Sequence, residues 1–206
     1  MSTLALTLAP PRSRAGARAA FEVACAVAGS LLIAGLAQIS IHLPFTPVPI
    51  TGQTLGVLLV GAAYGPALGV ATIGLYLVEA VAGFPVLAPG RGGTHDVGVQ
   101  VLRLSFPSAG YLWGFVVASG FVGWLSRRGW DRTFRSSVGS MLLGSIVIYV
   151  FGVPWLMASI RLPLEIGLEQ GLYPFVIGDT LKLLAAAALL PAAWRLLERL
   201  APGKED

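Results

Sequence analysis

Apolar residues fill long uninterrupted stretches of this chain, and the charged ones gather between them. From Val23 to Val78, a run of 56 residues, there is no Asp, Glu, Lys or Arg. One membrane-crossing helix uses about 20 residues, so this run holds more than one helix and contains its own turns. Pro44, Pro47 and Pro49 mark the first turn, because each fixes φ and removes a backbone donor, which excludes a helix there. The pattern predicts helices over about Phe21 to Leu43, Ile50 to Tyr64 and Ala67 to Gly83, the last two separated by Gly65-Pro66. Phe84 to Phe106 is a loop rich in Pro and Gly, carrying Arg91, His95, Asp96 and Arg103. A charge-free run of 23 residues, Leu104 to Ser126, supplies a fourth helix starting near Pro107. Another of 25 residues, Ser136 to Ile160, supplies a fifth, and Pro174 to about Trp194 a sixth. The expected fold class is an all-α membrane protein with six transmembrane helices.

Composition supports one polytopic domain. The 206 residues are 12% charged and the mean hydropathy is +0.78, outside the soluble globular range. The expected division is a cytoplasmic tail over residues 1–20, a membrane domain over 21–198 and a second tail over 199–206. A cleaved signal peptide is the alternative for the N-terminus, but the apolar run outlasts any plausible h-region and Ala26-x-Ala28 comes too early within it. A net charge of +4 raises the question of nucleic acid. The arginines instead sit in short clusters beside apolar runs, as topology signals do, so no nucleic acid is expected as partner. Six helices place both ends on one side. That side would hold Arg12, Arg14, Arg18, Arg127, Arg128, Arg132, Arg135, Arg195, Arg199 and Lys204, and the other only Arg91, Arg103 and Arg161. Both termini are therefore expected to be cytoplasmic.

Several positions are candidates for chemistry. The proline link, rimmed by Thr46, Thr51, Gln53 and Thr54, is either a tight turn or the wall of a binding site, since irregular backbone at membrane depth survives only where protein buries it or a cavity meets it. Asp179 and Lys182, three residues apart on the sixth helix, share a face. An ionisable group at mid-membrane costs roughly 2.5 to 3.5 kcal/mol on insertion scales, so each needs a partner. They either neutralise one another or grip a ligand that has both N–H and C=O groups. Gly178 beside them either permits close approach or is a small packing residue. Glu79, Arg91 and Arg103 are ligand groups or ordinary interfacial and loop charges. Ala20, Ala24 and Ala28 form a small-residue stripe for a neighbouring helix, inside or outside this chain. The lone Cys25 excludes an internal disulfide and reads as a packing residue.

The chain resembles the BioY family, the biotin-binding membrane subunits (S components) of energy-coupling-factor transporters. The likeness is carried by PFTPVPITGQTLGVLLVGA from Pro44 to Ala62, preceded by Ala37-Gln38-Ile39, and by Gly83-Phe84-Pro85-Val86. It continues in Gly110-Tyr111-Leu112 with Gly114-Phe115, in Tyr149-x-x-Gly152-x-x-Trp155-Leu156, and in Pro174-Phe175-x-x-Gly178-Asp179-x-x-Lys182. It implies an S-component fold in the plasma (inner) membrane that captures biotin from outside, uses no cofactor and catalyses nothing. Its implied partners are biotin, a transmembrane coupling protein (T component), two ATPase subunits and membrane lipid. By the same resemblance Asp179 and Lys182 contact the fused rings of biotin, and Ala20, Ala24 and Ala28 face the coupling protein; Thr51, Gln53, Tyr111, Glu79 and Arg103 are further candidate pocket residues. On charge alone, Arg103 or Arg91 is expected to offset the tail carboxylate. The sequence departs from the family at Phe106-Pro107-Ser108-Ala109, where Gly-Pro-Thr-Gly is common, which leaves the tail region open.

Other function classes find little here. No G-x-x-x-x-G-K-[ST] loop is present, since Gly203-Lys204 is followed by Glu205, so ATP hydrolysis must come from elsewhere. A self-sufficient proton-coupled carrier using Asp179 or Glu79 is the alternative. An intramembrane enzyme lacks H-E-x-x-H and G-x-S-x-G, and His42 and His95 lie in or beside loops, where a histidine is ordinarily solvated.

Overall fold

The computed structural model describes residues 3–11 and 13–200. Among them run α1 (Leu4–Leu8), α2 (Ala15–Ala37), α3 (Gln53–Tyr64), α4 (Pro66–Ala82), α5 (Ala109–Arg127), α6 (Phe134–Ile160), α7 (Leu164–Gly171) and α8 (Tyr173–Leu200). Two short strands, β1 (Ser40–Ile41) and β2 (Ile50–Thr51), pair antiparallel with Ser40 opposite Thr51. Arg12, Lys204 and the end of the second expected tail lie outside the described residues.

Helices form at all six expected places, but not all are full spans. Among the described residues, four stretches are long and apolar enough to cross a membrane: α2, α5, α6 and Leu164–Leu200, which joins α7 and α8 through Leu172. The helices α3 and α4 have 12 and 17 residues, about 18 and 25 Å at 1.5 Å per residue, against a hydrocarbon core of about 30 Å. The first helix is also displaced. It starts at Ala15, inside the expected tail, because the alanine-rich entry favours helix. It ends at Ala37 rather than Leu43, because residues 40–41 pair with 50–51 and make the proline link a hairpin. The Gly52 N–H holds that hairpin on the helix, reaching the carbonyls of Leu36 and Ile39 at 3.1 Å each.

The turn between α3 and α4 depends on Gly65, whose φ of +82° suits glycine, and on Pro66, which opens α4 where no backbone donor is needed. A Cβ at Gly65 would sit 3.0 Å from Cγ2 of Thr3. The N-terminal segment is therefore docked on this turn, with Thr3, Leu4 and Ala5 buried. At this end Arg18 and Arg127 line one surface groove with residues of α1. Nearby, the Arg132 guanidinium lies 3.4 Å from the centre of the Trp194 ring, and the indole N–H donates to Asp131 at 2.7 Å.

The core centres on α5, the most buried of the four long stretches, which packs on α3, α4 and α6. Small residues let it approach: a Cβ on Gly61 would lie 2.7 Å from the Ser119 carbonyl. On the outside of this core α2 leans on α4 and α3, while α8 packs on α6 and α3. Because α3 is shorter than α4, space remains beyond its N-terminus, at the opposite end of α3 from the Arg18–Arg127 groove. The proline link folds over that space.

Candidate functional site

Beyond Gln53 and Thr54 lies a cavity of about 590 Å³, a size typical of small-molecule sites. Its walls come from the start of α3, from Tyr111, Leu112 and Phe115 on α5, from Ile148 and Tyr149 on α6, and from Phe175, Asp179 and Lys182 on α8. Residues Pro44 to Pro49, Leu87 to Arg91 and Phe106 to Ser108 also line it.

Asp179 is the best-satisfied polar group in this wall. It is 7% exposed, and its Oδ1 accepts from Lys182 Nζ at 2.7 Å and from Thr54 Oγ1 at 3.1 Å. Its Oδ2 accepts from the Tyr149 hydroxyl. Three donors from three helices fix one carboxylate, which charge-assisted hydrogen bonds do more firmly than neutral ones. Lys182 Nζ also reaches Thr54 Oγ1 at 3.4 Å. An ammonium carries three N–H groups, so it can meet a ligand acceptor while keeping Asp179.

An aromatic wall stands beside this cluster. Tyr111 meets Tyr149 edge to face at 6.4 Å, and Phe175 lies 6.2 Å from Tyr111 and 6.5 Å from Tyr149. Glycines make room for Tyr111: a Cβ on Gly152 would fall 2.3 Å from its Cδ1, and one on Gly171 2.8 Å from its hydroxyl. The hydroxyl donates to the Gly171 carbonyl at 2.6 Å and so ties α5 to α7.

Thr51 and Gln53 line the cavity, with their side chains engaged in holding it. Thr51 Oγ1 accepts the Gln53 N–H at 3.2 Å and donates to Gln53 Oε1 at 2.9 Å. Gln53 Nε2 donates to the Tyr76 hydroxyl at 2.7 Å, which donates in turn to the Val86 carbonyl at 2.9 Å. The link is pinned from two sides. Thr46 Oγ1 donates to the Gln170 carbonyl on α7 at 2.8 Å, and Arg91 Nη2 to the carbonyls of Leu43 and Thr46 at 2.5 and 3.4 Å.

Asp179, Lys182, Thr51, Gln53, Tyr111 and Arg91 are thus brought to one cavity. Glu79 and Arg103 are not. Glu79 sits on the α2 side of α4, where its carboxylate accepts from the Ser30 hydroxyl. Arg103 follows the 3-10 turn Val99–Leu102, which buries Val101 and leaves the arginine exposed. Gly178 serves no close approach: a Cβ there would meet Ile50 at an ordinary 3.7 Å. The alanine stripe is not packed within the chain, since Ala20, Ala24 and Ala28 are all exposed. Tyr149 is a site residue that the sequence marks only as part of a motif, its three-residue spacing from Gly152 placing both on one face of α6. His42 and Asp96, read from sequence as loop residues, line the cavity as well.

Chemically, the arrangement suits an elongated ligand. A paired acceptor and donor meet one end, aromatic and aliphatic groups meet the middle, and Arg91 supplies positive charge among link and loop residues.

The model of the BioY family matches residues 10–199. A biotin transporter BioY of Rhizobium etli is 33% identical over 156 residues, covering 72% of this chain and 79% of the relative. A probable biotin transporter BioY of Pyrococcus horikoshii is 35% identical, with 76% and 84% covered. A biotin transporter BioY of Rhodobacter capsulatus is 32% identical, with 73% and 85% covered. Among solved structures, the S-component for biotin from an ECF-type ABC transporter superposes with a TM-score of 0.73 at 25% identity, covering 84% of this chain and 90% of that one.

Proposed function

The chain belongs to the BioY family, and from that premise we propose that it is a membrane-embedded S component that captures biotin for an energy-coupling-factor transporter. It is a transporter component and not an enzyme. The observation that carries the reading is the Asp179 cluster on the cavity wall. A ureido ring offers two N–H donors and one carbonyl: Asp179 accepts from the first and Lys182 donates to the second. Tyr149 and Thr54 hold the carboxylate in place for this. Tyr111, Tyr149 and Phe175 pack on the sulfur ring and the start of the tail. Arg91, which lines the cavity where Arg103 does not, offsets the tail carboxylate.

The exposed stripe of Ala20, Ala24 and Ala28 fits close approach by a coupling-protein helix, with two ATPases completing the assembly. Arg18 and Arg127 at the far end of α3 from the cavity support a cytoplasmic face there and an outward cavity, in the plasma membrane. Residues 21–198 act as the capture domain between two cytoplasmic ends. A self-sufficient proton-coupled carrier gains no support, because Asp179 is held by three donors and Glu79 lies away from the cavity.

Thermal unfolding of the detergent-purified protein tests the assignment. A ligand that binds only the folded state raises the midpoint by mass action. Biotin should raise it in a concentration-dependent way and valeric acid should not; no rise with biotin, or an equal rise with valeric acid, contradicts the assignment.

A further inference from the structure

The groove at the far end of α3 from the cavity has a chemistry of its own. It holds about 400 Å³ and has two kinds of lining. Leu6 of α1, Phe21 of α2 and Leu68 and Ala71 of α4 make it apolar, while Arg18 and Arg127 bring two guanidinium groups to it. Among the described residues Glu22 is the one carboxylate in the lining, and it is paired, accepting from Arg18 Nε at 3.0 Å. A guanidinium has five N–H donors, so that bond leaves most of those on Arg18 for another acceptor. Helix energetics explain only one of the two cations. Arg127 stands in the last turn of α5, where positive charge complements the helix dipole. Arg18 is the fourth residue of α2, near the end where positive charge is disfavoured.

We propose that this groove binds an anionic glycerophospholipid, its phosphate on Arg18 and Arg127 and an acyl chain along Phe21, Leu68 and Ala71. The inference goes beyond biotin capture and stands whatever the cargo is. The spans α2 and α5 begin and end beside the groove, so it lies where helices leave the hydrocarbon and phosphate headgroups gather. Basic pockets between membrane helices hold such headgroups. A free phosphate ion would leave the apolar lining unused. A partner helix drawn to the alanine stripe would meet a different face of α2, because the two residues from Arg18 to Ala20 turn the helix by about 200°. A lipid seated here touches α1, α2, α4 and α5 together, and so stabilises their arrangement.

Thermal unfolding of the full chain in a neutral detergent tests this, with each variant compared with its own lipid-free midpoint. Dioleoyl-phosphatidylglycerol should raise the midpoint of the parent, whereas dioleoyl-phosphatidylcholine and inorganic phosphate should not. The rise should be lost in the double variant Arg18→Gln with Arg127→Gln. It should also be lost in Ala71→Phe, which fills the apolar part of the groove and keeps both arginines. Arg128→Gln should keep it, because that guanidinium lies over the Trp124 ring at 3.5 Å and outside the groove. No rise in the parent overturns the proposal, as does an equal rise with phosphatidylcholine or with phosphate alone. A full rise in the double variant or in Ala71→Phe overturns it too, and so does a loss in Arg128→Gln as complete as in the double variant, which would mark a diffuse charge effect.

Discussion

Tyr111 holds its place because two glycines yield it space and the carbonyl of one accepts its hydrogen bond. Its ring lies where a Cβ of Gly152 would stand and its hydroxyl donates to the Gly171 carbonyl. Adding one methyl group in a filled core typically costs about 1–3 kcal/mol when neighbours must move. Gly152→Ala should therefore lower the unfolding midpoint and displace the Tyr111 ring from the cavity, weakening biotin as well. An unchanged midpoint with parental affinity would show that Tyr111 has room to move. The same reasoning relates two motifs of the sequence. Gly110 and Tyr111 on α5 face Trp155 and Gly152 on α6, each large ring over a glycine of the other helix. A linear reading gives the motifs but not their pairing, which only the α5–α6 contact creates.

At the level of elements, function depends on where helices stop. Because α3 begins at Gln53 and is shorter than α4, the link lies over a cavity rather than over packed helix. The prolines made the interruption legible, as did the absence of charge around it. Its extent was not legible: Ser40, Ile41 and Ile50 are compatible with apolar helices and became strands through pairing with one another, a contact no local preference announces. The docking of the N-terminal segment on Gly65 was hidden for the same reason, whereas the early start of α2 follows a local preference, its alanine-rich entry. Asp179 and Lys182 were legible because ionisable groups are expensive in lipid. Glu79 gave the same signal and proved to belong to the α2–α4 contact with Ser30, because hydrophobic patterning does not say which neighbour a charged face will meet.

At the scale of the molecule, the two ends of α3 differ and α2 leaves a small-residue flank exposed. The cavity lies at one end of α3 and the Arg18–Arg127 groove at the other, while the exposed alanines of α2 face outward along the side. In the proposed assembly, capture and delivery are separable. Ala24→Trp, on the stripe and remote from the cavity, should leave biotin binding by the purified chain intact and abolish biotin uptake by cells that supply the coupling protein and ATPases. Normal uptake by that variant would remove the stripe from the assembly surface.

The proposed recognition of biotin by the Asp179 cluster underlies the capture role. The decisive measurement is calorimetric titration of biotin into the detergent-purified parent and into folded Asp179→Asn and Lys182→Ala variants. Tight one-to-one binding by the parent, with affinity reduced at least about tenfold in each variant, as for loss of hydrogen bonds to charged groups, is the expected result. Undiminished binding in both variants would make Asp179 and Lys182 a structural pair and contradict the proposed capture site.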